Sequence, residues 1–103
     1  MARIVAVVSD LMLASRVRES LTAAGHAVSV TPTLPQPVQA DAIVCDLDAV
    51  DADAIASTGI PSLGFYSHVE VETKARAQKA GIDVVVPRSR MSRELPQLVE
   101  ALL

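Results

Sequence analysis

The sequence predicts an α/β domain with three layers, in which helices cover both faces of a parallel sheet of five strands. Three observations predict it. Five short runs rich in Val, Ile, Leu and Ala recur along the chain, and the continuous central one, Ala42 to Cys45, suits a strand buried on both faces. Stretches of helical period alternate with several of them, and right-handed crossovers then build a three-layer sandwich. The runs also end in polar residues at what becomes one edge of the sheet, the edge where open α/β sheets collect ligands and chemistry.

The first run, Arg3 to Ser9, is β-branched and closes on Ser9-Asp10. From Met12 to Ala24 the period is helical, with Leu13, Val17 and Leu21 four apart, and Gly25 serves as the C-cap. His26 to Thr31 alternates Val28 and Val30 with polar neighbours, as expected of a short strand near a sheet edge. His26, directly after the capping glycine, is expected to be exposed and without a role. Prolines at 32, 35 and 37 then strip donors from the backbone and disfavour helix, so this connection should run largely extended.

The central strand lies in Asp41 to Asp48, Asp-Ala-Ile-Val-Cys-Asp-Leu-Asp, and brings Asp46 to its carboxyl end. Asp46 and Asp48 are read either as site residues or as loop acids and helix N-caps. Asp51 to Ser57 has room for one or two helical turns. Ile60 to Tyr66 forms the fourth strand, in which Gly64 leaves space for a close neighbour. Glu70 to Ala80 is helical, with Val71, Ala75 and Gln78/Lys79 as a thin inner stripe, acids first, bases last and Gly81 as its cap. Ile82 to Val86 is the fifth strand. Pro87 to Arg90 reads as a loop before a last helix that Ser92 caps, with Leu95, Leu98, Val99 and Leu102 inward and Pro96 in its first turn.

The 103 residues are expected to form one domain, 1–103, with room for a single core. Phe65 and Tyr66 are the two aromatic residues, and the formal net charge is −3. Neither a stacking platform nor a basic stripe is present, so nucleic acid is not an expected partner. Cys45, the single cysteine, lies inside an apolar run and is read as a small hydrophobe, which excludes an internal disulfide. The apolar patch Ile4 to Val8 is too short for a signal peptide or a membrane span, and a cytoplasmic location is the expectation.

This layout, with these residues at the strand ends, resembles the receiver domain of two-component response regulators along essentially the whole chain. The resemblance implies a flavodoxin-like sheet in the order 2-1-3-4-5, here with shortened second and third helices. In that family an acidic pair ends the first strand, and Ser9-Asp10 stands there. The phosphorylatable Asp of the third strand corresponds to Asp46. Counting from Pro61 puts Tyr66 at the Ser/Thr that ends the fourth strand, with Ser67 one residue late. Counting from Gly81 puts Arg88 where the family has Lys.

With one acid at the first strand, Mg²⁺ is expected to bind weakly, through Asp10 and Asp46. These departures mark an atypical or pseudo-receiver, a regulatory domain and not an enzyme, with the working phospho-acceptor as the alternative. Arg88 is expected either to hold phosphate oxygens or to close the pocket in a permanent ion pair with Asp46. The implied partners are a histidine kinase or a downstream regulator, and a homodimer through the fourth helix, fifth strand and last helix. Arg88, Arg90 and Arg93 form a local basic patch, read as a solvated helix start or as a docking surface for an acidic partner. Two other chemistries fail. Ser67 and His68, as neighbours on an extended chain, point to opposite faces and cannot pair as nucleophile and base, and no Gly-rich phosphate loop follows the first strand.

Overall fold

The computed structural model describes residues 2–67 and 71–103. Its elements are β1 (Arg3–Val7), α1 (Leu11–Ala23), β2 (Ala27–Thr31), β3 (Ala42–Asp46), α2 (Ala52–Ala56), β4 (Ser62–Tyr66), α3 (Val71–Ala80), β5 (Val84–Pro87) and α4 (Arg88–Glu100). The strands form one parallel sheet in the order β2-β1-β3-β4-β5, the flavodoxin-like order. One face carries α1 and α4 over Ile4, Ala6, Val44, Leu63 and Phe65. The other carries α2 and α3 over Val5, Val7, Ile43, Cys45 and Tyr66. The alternation of these two sets along β1, β3 and β4 is the period of two that a strand buried on both sides requires.

The second helix of the receiver layout is absent, not shortened. Thr31 passes to β3 through an extended proline-containing segment, and Leu34, Val38 and Ala40 pack from it onto the α2/α3 side of the core. The prolines explain the substitution. The next helix is reduced to five residues and is capped by Asp51, whose side chain accepts the Asp53 N–H. Gly64 has the close neighbour expected of it: an added Cβ would stand 2.7 Å from the Leu47 side chain.

Several local expectations are corrected. α4 begins directly after β5 at Arg88, with Pro87 in extended conformation as its N-cap, so Arg88 to Arg90 are helical and Ser92 caps nothing. The reason is Met91, which is buried together with Leu95 and Val99 and pulls the first turn into the helix. Pro96 is therefore interior to α4, where it offers the Ser92 carbonyl no N–H. In α3 the buried residue is Ala77, with Thr73 and Ala80 half-buried beside it, while Ala75, Gln78 and Lys79 are exposed. The small Ala77 lets α3 settle against α2. Glu70, and the side chain of Val71, fall outside what the structure describes.

His26 is buried. Its Nδ1 accepts the Ala2 N–H at 3.2 Å and its Nε2 lies 3.0 Å from Glu100 Oε1, so one ring joins the start of β1 to the end of α4. Nearby, Asp41 Oδ2 accepts the Arg3 N–H at 2.8 Å, and Asp83 Oδ2 accepts the Ser62 N–H at 2.9 Å. Each acid supplies an acceptor to a strand's first N–H, so Asp41 serves the opposite sheet edge from Asp46.

Candidate functional site

The parallel register brings the carboxyl ends of β1, β3, β4 and β5 together, and each delivers one of the expected residues to that edge. β3 ends at Asp46, which is level with Phe65 of β4. The chain turns there, as the Ala49 and Val50 N–H groups both donate to the Asp46 carbonyl, and the Asp48 N–H donates to Asp46 Oδ1 at 3.0 Å. This is an Asx turn that fixes the Asp46 side chain at the edge. Asp46 is half-buried, and its pKa is raised above the ordinary value. Desolvation is the largest cause, and the charges of Asp48 and Asp10 add to it. The Asp48 N–H and the more distant Arg88 guanidinium pull the other way.

Asp10 is exposed beyond β1 and is the N-cap of α1, with Oδ1 accepting the Leu13 N–H at 3.0 Å. Each of the two carboxylates thus has one oxygen occupied by a backbone donor and a second left for a ligand. That donor set fits a Mg²⁺ ion held by two carboxylates and several waters. Among the described residues no group of three His, Cys, Asp or Glu side chains stands close enough to form a fuller cation site. A bound Mg²⁺ would supply charge balance for phosphoryl transfer to Asp46, and Asp10 and Asp46 are the residues that would hold it.

Tyr66 and Ser67 divide the position where the fourth strand ends. Tyr66, level with Pro87 of β5, is buried in the same layer as Cys45, Leu47, Ala52 and Ala77, where it contributes packing. Ser67 is exposed past the strand. Its N–H and hydroxyl both donate to Asp48 Oδ2, at 2.8 Å and 2.5 Å. Among the described residues the small hydroxyl at this strand end is therefore held by a neighbouring acid. Asp48, read from the sequence as a site residue or a loop acid, instead holds Ser67, and its place two residues beyond Asp46 is the signal for that part.

Arg88 opens α4 and is exposed. It makes no ion pair with Asp46: among the described residues the two side-chain pairs within 4.0 Å are His26–Glu100 and Arg90–Glu94. The permanent lock expected between Asp46 and Arg88 is not formed, because helix α4 starts at Arg88 itself and sets that side chain on its exposed first turn. Arg90 is engaged by Glu94 and Arg93 by the Ser89 carbonyl, so the basic patch is partly neutralised within its own helix. Cys45, adjacent to Asp46, is fully buried, and burial pushes its thiol up to about 12. His68 lies outside the described residues.

No family model and no curated protein matches the chain. Solved structures do match it. The receiver domain of Francisella response regulator 1452 is 18% identical over 99% of this chain and 96% of that one, with a TM-score of 0.83. The non-phosphorylated HemR receiver domain from Leptospira biflexa is 22% identical over 99% and 94%, with a TM-score of 0.82. The ChxR receiver domain from Chlamydia trachomatis is 16% identical over 100% and 98%, with a TM-score of 0.74. The chain has the fold of response-regulator receiver domains. No helix of the described residues is long and apolar enough to cross a membrane.

Proposed function

We propose that this chain is a signal-transduction domain of receiver type whose phospho-acceptor site is degenerate and which acts by binding other proteins. One observation carries the reading: the Ser67 hydroxyl is bound to Asp48 while Tyr66 fills the strand-end position with a core side chain. A receiver that responds to phosphate needs a free small hydroxyl there to follow the phosphoryl group. The rest of the site agrees, with a single first-strand acid that also caps α1 and an arginine in place of the compact lysine charge. The domain is regulatory and not catalytic, works in the cytoplasm, and binds Mg²⁺ weakly. Its partners are proteins, a histidine kinase or a downstream regulator, and not nucleic acid. A homodimer would use α3, β5 and α4.

The second reading is a working acceptor phosphorylated on Asp46. It is favoured by the missing lock, which leaves the Asp46 carboxylate half-exposed without an arginine across it. Intact mass after incubation with a small phosphodonor and Mg²⁺ separates the two. The unmodified mass is expected. An adduct that is lost in Asp46→Asn and kept in Asp48→Asn would establish the second reading.

A further inference from the structure

We propose that the free edge of β2, with the hollow between it and α1, docks an extended acidic segment of a partner protein. β2 is outermost in the sheet and pairs only with β1. Its ladder is fixed at both ends: the Ala27 N–H donates to the Ala2 carbonyl at 2.9 Å, and the Val8 N–H donates to the Thr31 carbonyl at 3.0 Å. In a parallel pair this alternation turns the backbone groups of Ala27, Ser29 and Thr31 toward β1 and those of Val28 and Val30 outward. The edge therefore presents two donors and two acceptors in strand geometry, the template that an added strand uses.

Beside this edge lies a hollow of about 310 Å³ walled by Val8, Leu11, Ala14, Ser15, Arg18 and Val30. Leu11 is 84% exposed, a large apolar side chain with no cover. Val28 and Val30 pack toward the α1 side of the sheet. A strand laid along β2 at the usual spacing would place alternate side chains on that same side, one of them into the hollow and the next away from it. The other face asks little of a partner, since no crossover helix follows β2 and the residues there are Ala27, Ser29 and Thr31.

Charge decides the occupant. Arg18 stands on the rim of the hollow, and among the described residues no carboxylate lies within 4.0 Å of it. A second copy pairing through its own β2 brings Ala-Val-Ser-Val-Thr, which has no acid, and leaves both Arg18 side chains uncompensated. A segment with an apolar residue and, two positions on, an acid sets both side chains on the α1 side, where one fills the hollow and the other meets Arg18, while its backbone pairs with Val28 and Val30.

The surface rests on the protein-binding reading above, but not on the state of Asp46, and it is read by different signals. The test is to titrate the full ¹⁵N-labelled chain with capped extended peptides that carry Leu, Val or Phe and, two residues on, Glu, so that both side chains share one face. Amide shifts are expected at Val28, Val30, Ser15 and Arg18. Arg18→Glu, an exposed change whose fold the same spectra monitor, should weaken binding about tenfold or more. Backbone N-methylation of the peptide at alternate residues should abolish it. Shifts centred on α3 or α4, equal affinity for Arg18→Glu or for the methylated peptide, self-association through β2, or no shift with any peptide of the set would each overturn the proposal. A phosphoryl adduct on Asp46 would overturn the degenerate-site reading and leave this surface untouched.

Discussion

The Ser67 hydroxyl lies 2.5 Å from Asp48 Oδ2, and the Ser67 N–H reaches the same oxygen at 2.8 Å, tying the end of β4 to the turn after β3. Asp48 in turn donates its N–H to Asp46. The clasp keeps the hydroxyl off Asp46. Ser67→Ala removes one of the two donors from an exposed acceptor and should cost about 0.5–1.5 kcal/mol. Asp48→Asn weakens both, and in urea unfolding the double variant should cost less than the sum of the singles because they share one contact. Additive effects would show that the clasp carries no energy.

The raised pKa of Asp46 has a sign. A carboxyl whose folded pKa exceeds its unfolded value binds protons more readily in the folded state, so stability is lost as pH rises from the unfolded value, near 3.9, through the folded one. Asp46→Asn keeps an oxygen for the Asp48 N–H and removes the charge. Without divalent ions it should stabilise the domain at neutral pH, by less than about 1 kcal/mol for a group only half-buried, and flatten that window. A destabilised Asp46→Asn would mean that an attractive partner is present.

His26 should matter far more than its position after a glycine suggested. His26→Ala leaves the Ala2 N–H without its acceptor in a buried setting and opens a void, an expected loss of about 2–3 kcal/mol. Glu100→Gln should cost under about 1, since the Glu100 side chain is 60% exposed. Thermal unfolding of the two variants checks the ratio.

Two buried positions in β4 should respond in opposite directions. Gly64→Ala drives a Cβ into the whole head of Leu47 and should cost about 1–3 kcal/mol, partly relieved by Leu47→Ala. Ser62→Ala deletes a buried hydroxyl that has no partner and should be neutral or stabilising. Chemical denaturation midpoints with unchanged slopes would read both.

The sheet was legible because its signal is collective: five apolar runs, glycines 25 and 81 at helix ends, and prolines that forbid one crossover helix. Asp46 at the end of β3 and a close neighbour for Gly64 followed from the same pattern, and the structure identifies that neighbour as Leu47. What was not legible depends on side chains distant in sequence. Nothing beside His26 announces Glu100, and nothing beside Arg88 announces that β5 runs straight into α4 and leaves the guanidinium beyond ion-pair distance of Asp46. Ser92 resembled a cap, but burial of Met91 outweighed the gain a cap offers. Asp48 was visible as an acid and not as the partner of Ser67, since that bond needs the β3–β4 register.

The most direct measurement compares phosphoryl uptake by the natural chain with that of a variant carrying Ser9→Asp, Tyr66→Thr and Arg88→Lys, which restores the receiver pattern at three strand ends. Both are incubated with the same phosphodonor and Mg²⁺ and followed by intact mass over time. A degenerate site predicts no adduct on the natural chain and an Mg²⁺-dependent adduct on the restored one, located on Asp46. Prompt, Mg²⁺-dependent labelling of Asp46 in the natural chain would contradict it.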